Sequence, residues 1–167
     1  MTPDPFLAAP LIIQAHIVVA ILALALGPVV LLRGPRDRFH KVMGYVWAAA
    51  MALTALSAMF IFQLRLIGPF SPIHLFVPVT LIGLGVGIGH ARAGRTAAHR
   101  RTMMSLYVFA MGIPGMFTLL PGRIMNAIVF PAAPVAGFAV SVAMAGLAVA
   151  LWGLRRPDRL RELLGMR

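Results

Sequence analysis

The 167-residue sequence contains no cysteine and only four acidic residues. The lack of cysteine excludes disulfide bonds, thiolate metal sites and cysteine nucleophiles. No Asp or Glu lies within a long apolar run. This argues against a transporter with a carboxylate proton relay and removes the usual ligands of Mg²⁺ and Ca²⁺. Asp4, Asp37 and Asp158 lie outside those runs, so no Ser-His-Asp arrangement is available and we do not expect an enzyme.

Apolar residues dominate the chain, which is 60% hydrophobic and 11% charged, with a mean hydropathy of +0.92. A soluble domain is about half apolar and about a quarter charged, so we expect lipid to be the solvent. The formal net charge of +11 would suggest nucleic acid binding in a soluble protein. Here the basic residues fall in short gaps between apolar runs, where they set orientation and contact anionic lipid. The predicted partner is therefore the bilayer and not nucleic acid.

Five apolar runs reach the roughly 20 residues that a helix needs to cross a bilayer. We predict an all-α integral membrane protein with a single membrane domain over residues 1–167. Short loops would join the first four spans into two tandem hairpins, about 10–64 and 72–121, that form a four-helix bundle. A fifth helix, about 131–154, and a basic tail, 155–167, would follow. The predicted spans are Pro10–Leu32, Val42–Leu64, Pro72–His90, Thr102–Leu120 and Pro131–Leu154.

The basic residues are divided unequally between the two sides of the predicted bundle. Lys and Arg stay on the cytoplasmic side of multi-pass proteins. The division therefore predicts a bacterial inner membrane protein with a periplasmic amino terminus and a cytoplasmic carboxyl terminus. The richer side holds Arg33, Arg36, Arg38, Lys41, Arg92, Arg95, Arg100, Arg101, Arg155, Arg156, Arg159, Arg161 and Arg167, and the other side holds Arg65 and Arg123.

The two hairpins resemble each other in sequence, which predicts an internal repeat. His16 stands near the start of the first helix, and His40, followed by Lys41, opens the second helix 24 positions later. In the second hairpin, His74 and His99 are 25 positions apart, and His99 also precedes a cation. Parallel repeats of this kind are related by an axis along the membrane normal.

In such a bundle His16 and His74 would lie near the outer surface, and His40 and His99 near the cytoplasm. Neutral imidazole is a common haem ligand, so the two pairs would suit two b-type haems at different depths. Cations beside them would meet the haem propionates, with Arg123 at the outer site. The candidate cofactor-binding residues are His16, His74, His40, His99, Arg123, Arg100, Arg101 and Lys41, with His16 and His74 as iron ligands if haem is present.

Simpler interpretations stand beside these. His40 and His99 lie at helix starts, where hydrogen bonds to backbone or lipid phosphate would also explain them. The glycines at 83, 85, 87 and 89 would either admit a flat macrocycle or allow close helix packing, for which small residues four apart are the usual device. Trp47 and Trp152 fit interfacial anchors.

Several of these residues also resemble a known family. His16, Gly27-Pro28, His40 with Gly44 and Tyr45, His99-Arg100-Arg101 with Met103 or Met104, and Arg123 are similar to the pattern of the bacterial membrane proteins called domain of unknown function 2306. The resemblance covers roughly residues 10–130 and ends before the fifth helix. It implies a compact helical bundle, gives no established activity, and marks His16, His40, His99 and Arg123 as positions of interest.

Three functional hypotheses follow. The leading one is an accessory or assembly subunit that packs against a larger respiratory or photosynthetic membrane complex and contacts lipid or quinone, since little of the given chain lies outside the apolar runs. The alternative is a b-type haem protein that transfers electrons. A small transporter is the weakest, because the spans contain no carboxylate. A homo-oligomer is a further expected assembly.

Overall fold

The computed structural model describes residues 5–33, 37–62 and 72–155, with side chains described as far as residue 147 except at position 72. These residues are helical and include no strand, which confirms the predicted all-α class. The elements are α1 (Leu11–Leu32), α2 (Arg38–Ala58), a 3-10 turn (Pro72–Leu75), α3 (Phe76–Arg92), α4 (Thr96–Ser105), a π-helical segment (Leu106–Gly112), α5 (Ile113–Thr118), α6 (Ile124–Val129) and α7 (Pro134–Arg155).

Three helices among the described residues are long and apolar enough to cross a membrane: Leu11–Leu32, Arg38–Ala58 and Ile73–Arg92. The fourth predicted span is helical from Thr102 to Thr118, and the π-helical segment divides it. The fifth corresponds to α7, whose described side chains, Pro134–Leu147, are apolar except for Ser141. The total of five spans therefore remains a prediction.

Two helices begin earlier than hydropathy predicts, because polar and charged residues lie within their first two turns. We predicted Val42 as the start of α2, but the helix begins at Arg38, since the Asp37 carboxylate accepts a hydrogen bond from the His40 backbone N–H at 2.8 Å. Such a cap satisfies one of the free N–H groups at a helix start. Similarly, α4 begins at Thr96 rather than at Thr102.

The backbone divides into two compact units, Met1–Pro114 and Gly115–Arg167. In the first unit α1 packs against α2, and α3 packs against α4 and the π-helical segment. Contacts between α2 and α3 join the two hairpins, and α1 contacts α4 and the π-helical segment. This arrangement is a four-helix bundle of two hairpins. The single domain over residues 1–167 and the internal repeat remain predictions.

The core of the first unit forms around Trp47 and Met51, which are 2% and 1% exposed. The indole Nε1 of Trp47 donates a hydrogen bond to the Ala23 carbonyl at 3.0 Å. The prediction that Trp47 is an interfacial anchor is therefore wrong, because its polar atom has a buried partner. The side chain of Trp152 lies outside the described residues. The core also includes Ala23, Val30, Ala48, Ala50, Leu84, Met103, Leu106 and Met111.

The second unit is organised around Asn126, which is 2% exposed. Its side-chain amide donates to the carbonyls of Leu119, at 2.6 Å, and Pro134, at 2.8 Å. These bonds connect the short helix α6 with the segments on either side of it. Sequence analysis did not predict α6, because six residues are too few to show helical periodicity.

Candidate functional site

The site with the most specific geometry surrounds Pro28 in the middle of α1. Proline has no N–H, so the carbonyl four residues earlier, that of Leu24, loses its helical partner. The hydroxyl of Tyr107, in the π-helical segment, donates to this carbonyl at 2.9 Å. Thus a side chain 83 residues away supplies the hydrogen bond that the proline removes from its own helix.

Gly27 makes room for this bond. A methyl group added at Gly27 would overlap the aromatic ring of Tyr107. The indole N–H of Trp47 donates to the carbonyl of Ala23, the residue before Leu24. Ala23 is fully buried. Aromatic donors from two different helical segments therefore bond adjacent carbonyls of α1. We refer to Gly27, Pro28, Leu24 and Tyr107 as the proline site.

His16 lies near the start of α1 and bonds the end of α2. Its Nδ1 is 2.8 Å from the Ser57 hydroxyl oxygen. The Ser57 hydroxyl itself donates to carbonyls of its own helix, those of Leu53 and Thr54. Since its one proton is used there, His16 Nδ1 is the donor to the Ser57 oxygen.

His74 lies in the 3-10 turn and stacks on Phe62, with ring centroids 5.7 Å apart and planes inclined by 17°. Phe62 follows the end of α2, close in sequence to Ser57. The structure thus brings His16 and His74 to the same end of the first unit. Their pairing as ligands of one cofactor remains a prediction.

His99 lies in the first turn of α4 and bonds the neighbouring helix. Its Nδ1 is 2.8 Å from the carbonyl oxygen of Gly87. A carbonyl only accepts, so Nδ1 carries a proton and donates this bond. His99 therefore ties the two helices of the second hairpin, as the simpler interpretation of this residue predicted.

His40 and His90 lie at the same end of the first unit as His99, in a different environment. The backbone N–H of His40 donates to Asp37. The Nδ1 atoms of both imidazoles are buried without a hydrogen-bond partner in the described residues. These rings consequently lack the orienting bond that His16 and His99 possess.

The predicted basic residues divide between the two units. Lys41, Arg100 and Arg101 are exposed at the starts of α2 and α4. Arg123 belongs to the second unit, where its guanidinium lies 4.9 Å above the centre of the Phe117 ring. The contact of Arg123 with a haem propionate remains a prediction.

Asp37 and Arg33 form an ion pair, at 2.6 Å, in the loop between α1 and α2. The Arg33 hydrogen bond, together with the backbone N–H of His40, lowers the pKa of the Asp37 carboxyl. The same guanidinium lies 4.8 Å above the Phe39 ring centre. Arg33 is thus occupied by two partners.

The glycines of α3 form two pairs with different surroundings. A Cβ at Gly83 would meet the Leu106 side chain, and one at Gly87 would meet Met103. At Gly85 and Gly89 a Cβ would meet nothing within 4 Å. The first pair therefore serves close packing of α3 on α4 and the π-helical segment, and the second pair lies on the outside of the unit.

The described histidines do not form a metal cluster. Within residues 5–33, 37–62 and 72–155, no three His, Cys, Asp or Glu side chains come together. What the arrangement offers chemically is two imidazoles, His16 and His99, each oriented by a hydrogen bond at Nδ1.

Sequence analysis missed Tyr107, Trp47 and Ser57 as partners in these sites. A signal existed for the first: a proline inside an apolar helix frees a carbonyl, and in lipid that carbonyl needs a donor. No local pattern points to Ser57, because its contact with His16 joins residues 41 positions apart.

Comparison with known proteins gives one result at the family level. A family model described as "Predicted membrane protein (DUF2306)" matches residues 13–152. The match includes most of α7, so the fifth predicted helix falls within the family region and is not an addition to it. No curated protein and no solved structure matches the chain.

Proposed function

Because the chain belongs to the DUF2306 family of predicted membrane proteins, we propose that it acts within the bilayer as an accessory or assembly subunit. It would pack against a larger respiratory or photosynthetic membrane complex and contact lipid or quinone. The observation that carries this proposal is the outward glycine pair of α3, Gly85 and Gly89.

In lipid there is little hydrophobic drive for helices to associate, so small residues that allow close backbone approach are important. Within the first unit, α3 uses Gly83 and Gly87 in this way against α4 and the π-helical segment. Gly85 and Gly89 have the same spacing and open space beside them. Exposed Ile82 and Val86 lie beside this pair and would add apolar contact with a partner helix.

Extraction in mild detergent tests the proposal. We expect wild-type protein to co-migrate with a larger complex, and a Gly85→Leu/Gly89→Leu variant to be released from it, because leucine side chains would separate the helices. Val79→Leu is the matched control, since Val79 is exposed and already has a branched side chain. Migration of the wild type alone, near its own mass plus detergent, would contradict the accessory function.

A second candidate is b-type haem binding for electron transfer. It is supported by the Nδ1 hydrogen bonds of His16 and His99, since a metal-ligating histidine usually donates its other ring N–H to a neighbouring acceptor. In this proposal His74 and His40 would supply the second ligands. Lys41, Arg100 and Arg101 would neutralise propionates at one end.

The reduced-minus-oxidised absorption spectrum of the purified protein distinguishes this candidate. Haem binding predicts Soret and α bands that lose the contribution of one haem in His16→Ala and keep their full intensity in His90→Ala. A flat spectrum from haem-replete cells would exclude it. Transport is a weaker proposal, because the membrane-spanning helices carry no carboxylate.

We also propose a bacterial inner membrane location with the amino terminus in the periplasm. The support is the distribution of Lys and Arg, which favours the cytoplasm for the loops at 33–41 and 92–101. This orientation places His16 and His74 towards the periplasm.

A further inference from the structure

One end of the first unit carries a concentration of cations without carboxylate partners. The α1–α2 loop and the α3–α4 loop lie at this end, because Phe62 and His74 bring the end of α2 and the start of α3 together at the other. Exposed cations here are Arg38, Lys41, Arg92, Arg95, Arg100 and Arg101. We call these six residues the basic end.

The charges of the basic end are not neutralised by the protein. Among the described residues the one ion pair is Arg33–Asp37. Arg33 also lies over the Phe39 ring. The Asp37 carboxylate is therefore paired with a cation that is not one of the six residues of the basic end. At the opposite end of the unit, residues 5–16, 55–62 and 72–80 contain no Lys or Arg.

We propose that the basic end is a binding surface for the phosphate groups of anionic phospholipids. Both loops that carry it follow or precede membrane-spanning helices, so its cations lie at the level of the lipid headgroups. Each Lys or Arg near an anionic leaflet contributes an attraction that is screened by salt. The occupant is bilayer lipid rather than free phosphate, because the acyl chains would also cover the apolar sides of the adjoining helices.

The surface combines residues of both hairpins, since Lys41 belongs to α2, whereas Arg100 and Arg101 belong to α4. An anionic lipid bound to cations of both hairpins would therefore stabilise the folded protein, and its affinity would fall as these charges are removed.

The test is the thermal unfolding midpoint of the full chain in neutral detergent, titrated with phosphatidylglycerol or phosphatidylcholine. We expect phosphatidylglycerol to raise the midpoint in a saturable, salt-sensitive manner and phosphatidylcholine to have little effect. Arg100→Gln/Arg101→Gln should weaken the apparent affinity by roughly fivefold for each charge removed. Lys41→Gln, on the other hairpin, should weaken it by about fivefold as well.

Arg33→Gln/Asp37→Asn is the matched control, because it removes an ion pair that carries no net charge. It should leave the affinity close to that of wild type. Equal responses to the two lipids, an unchanged affinity in the Arg100/Arg101 variant, or an equal loss in the Arg33/Asp37 variant would each overturn the proposal. The same would follow if inorganic phosphate alone raised the midpoint as phosphatidylglycerol does.

Discussion

At the residue scale, the proline site exists because Pro28 has no backbone N–H. Pro28 frees the Leu24 carbonyl, Tyr107 donates to it, and Gly27 leaves space for the ring. In water a freed carbonyl could be hydrated, but in the hydrocarbon region it requires a donor from the protein. The phenol of Tyr107 therefore replaces a backbone interaction that a membrane helix cannot easily lose.

Substitution of Gly27 by alanine should destabilise the protein by about 1–3 kcal/mol, as expected for overpacking a well-filled site. The added methyl group meets the rigid, hydrogen-bonded Tyr107 ring, which cannot rotate away without losing its bond. The measurement is the free energy of unfolding in mixed micelles. Gly85→Ala is the control: its methyl group enters open space, so stability should stay level or rise by roughly 0.5–1 kcal/mol.

Tyr107→Phe should cost roughly 0.6–2 kcal/mol, the range for a hydrogen bond between membrane helices. In a Pro28→Ala background the Leu24 carbonyl regains a backbone partner, so the same substitution should cost almost nothing. The four free energies of unfolding form a double-mutant cycle. Equal costs in both backgrounds would show that the Tyr107 hydroxyl does not compensate for the proline.

At the element scale, Asp37 determines where α2 begins. The Arg33 hydrogen bond, with the His40 N–H, lowers its pKa below the usual value of 3.8. A carboxyl with a lowered folded-state pKa contributes stability that is fully present above its unfolded pKa and is lost as the pH falls through the folded value. The contribution should therefore persist above about pH 3.8 and disappear on further acidification.

The unfolding temperature measured from neutral pH down to strong acid tests this expectation. Asp37→Asn keeps a capping side chain but has no carboxylate, so it should lack this acid-dependent contribution to stability. The difference between wild type and Asp37→Asn should be constant at neutral pH and shrink in acid. A difference that grows as the pH falls would contradict the assigned direction.

The helices also show which structural features could be predicted from the sequence. Hydropathy located α1, α2 and α3 because long apolar runs have few alternatives in a membrane protein. It misplaced the starts of α2 and α4, since both helices continue beyond the apolar run into polar and charged residues. The ends at which His16, His74, His40 and His99 lie were predictable from helix direction. Their hydrogen-bond partners were not, because those contacts depend on rotamers and on residues distant in sequence.

At the scale of the whole molecule, the absence of cysteine makes the orientation directly measurable. In intact cells, a membrane-impermeant maleimide should label Leu7→Cys, whose side chain is 67% exposed near the amino terminus. Lys41→Cys and Arg100→Cys should become labelled only after the cells are opened. The wild-type chain gives no background. Labelling of Lys41→Cys with protection of Leu7→Cys would reverse the proposed orientation.

The proline site also has an evolutionary consequence. A descendant that replaces Pro28 regains a backbone N–H, and the requirements for a hydroxyl at position 107 and for glycine at position 27 then disappear together. A descendant that keeps the proline but loses the hydroxyl first must pass through a less stable intermediate. Substitution histories within the family should therefore begin at Pro28, with Tyr107 and Gly27 changing afterwards.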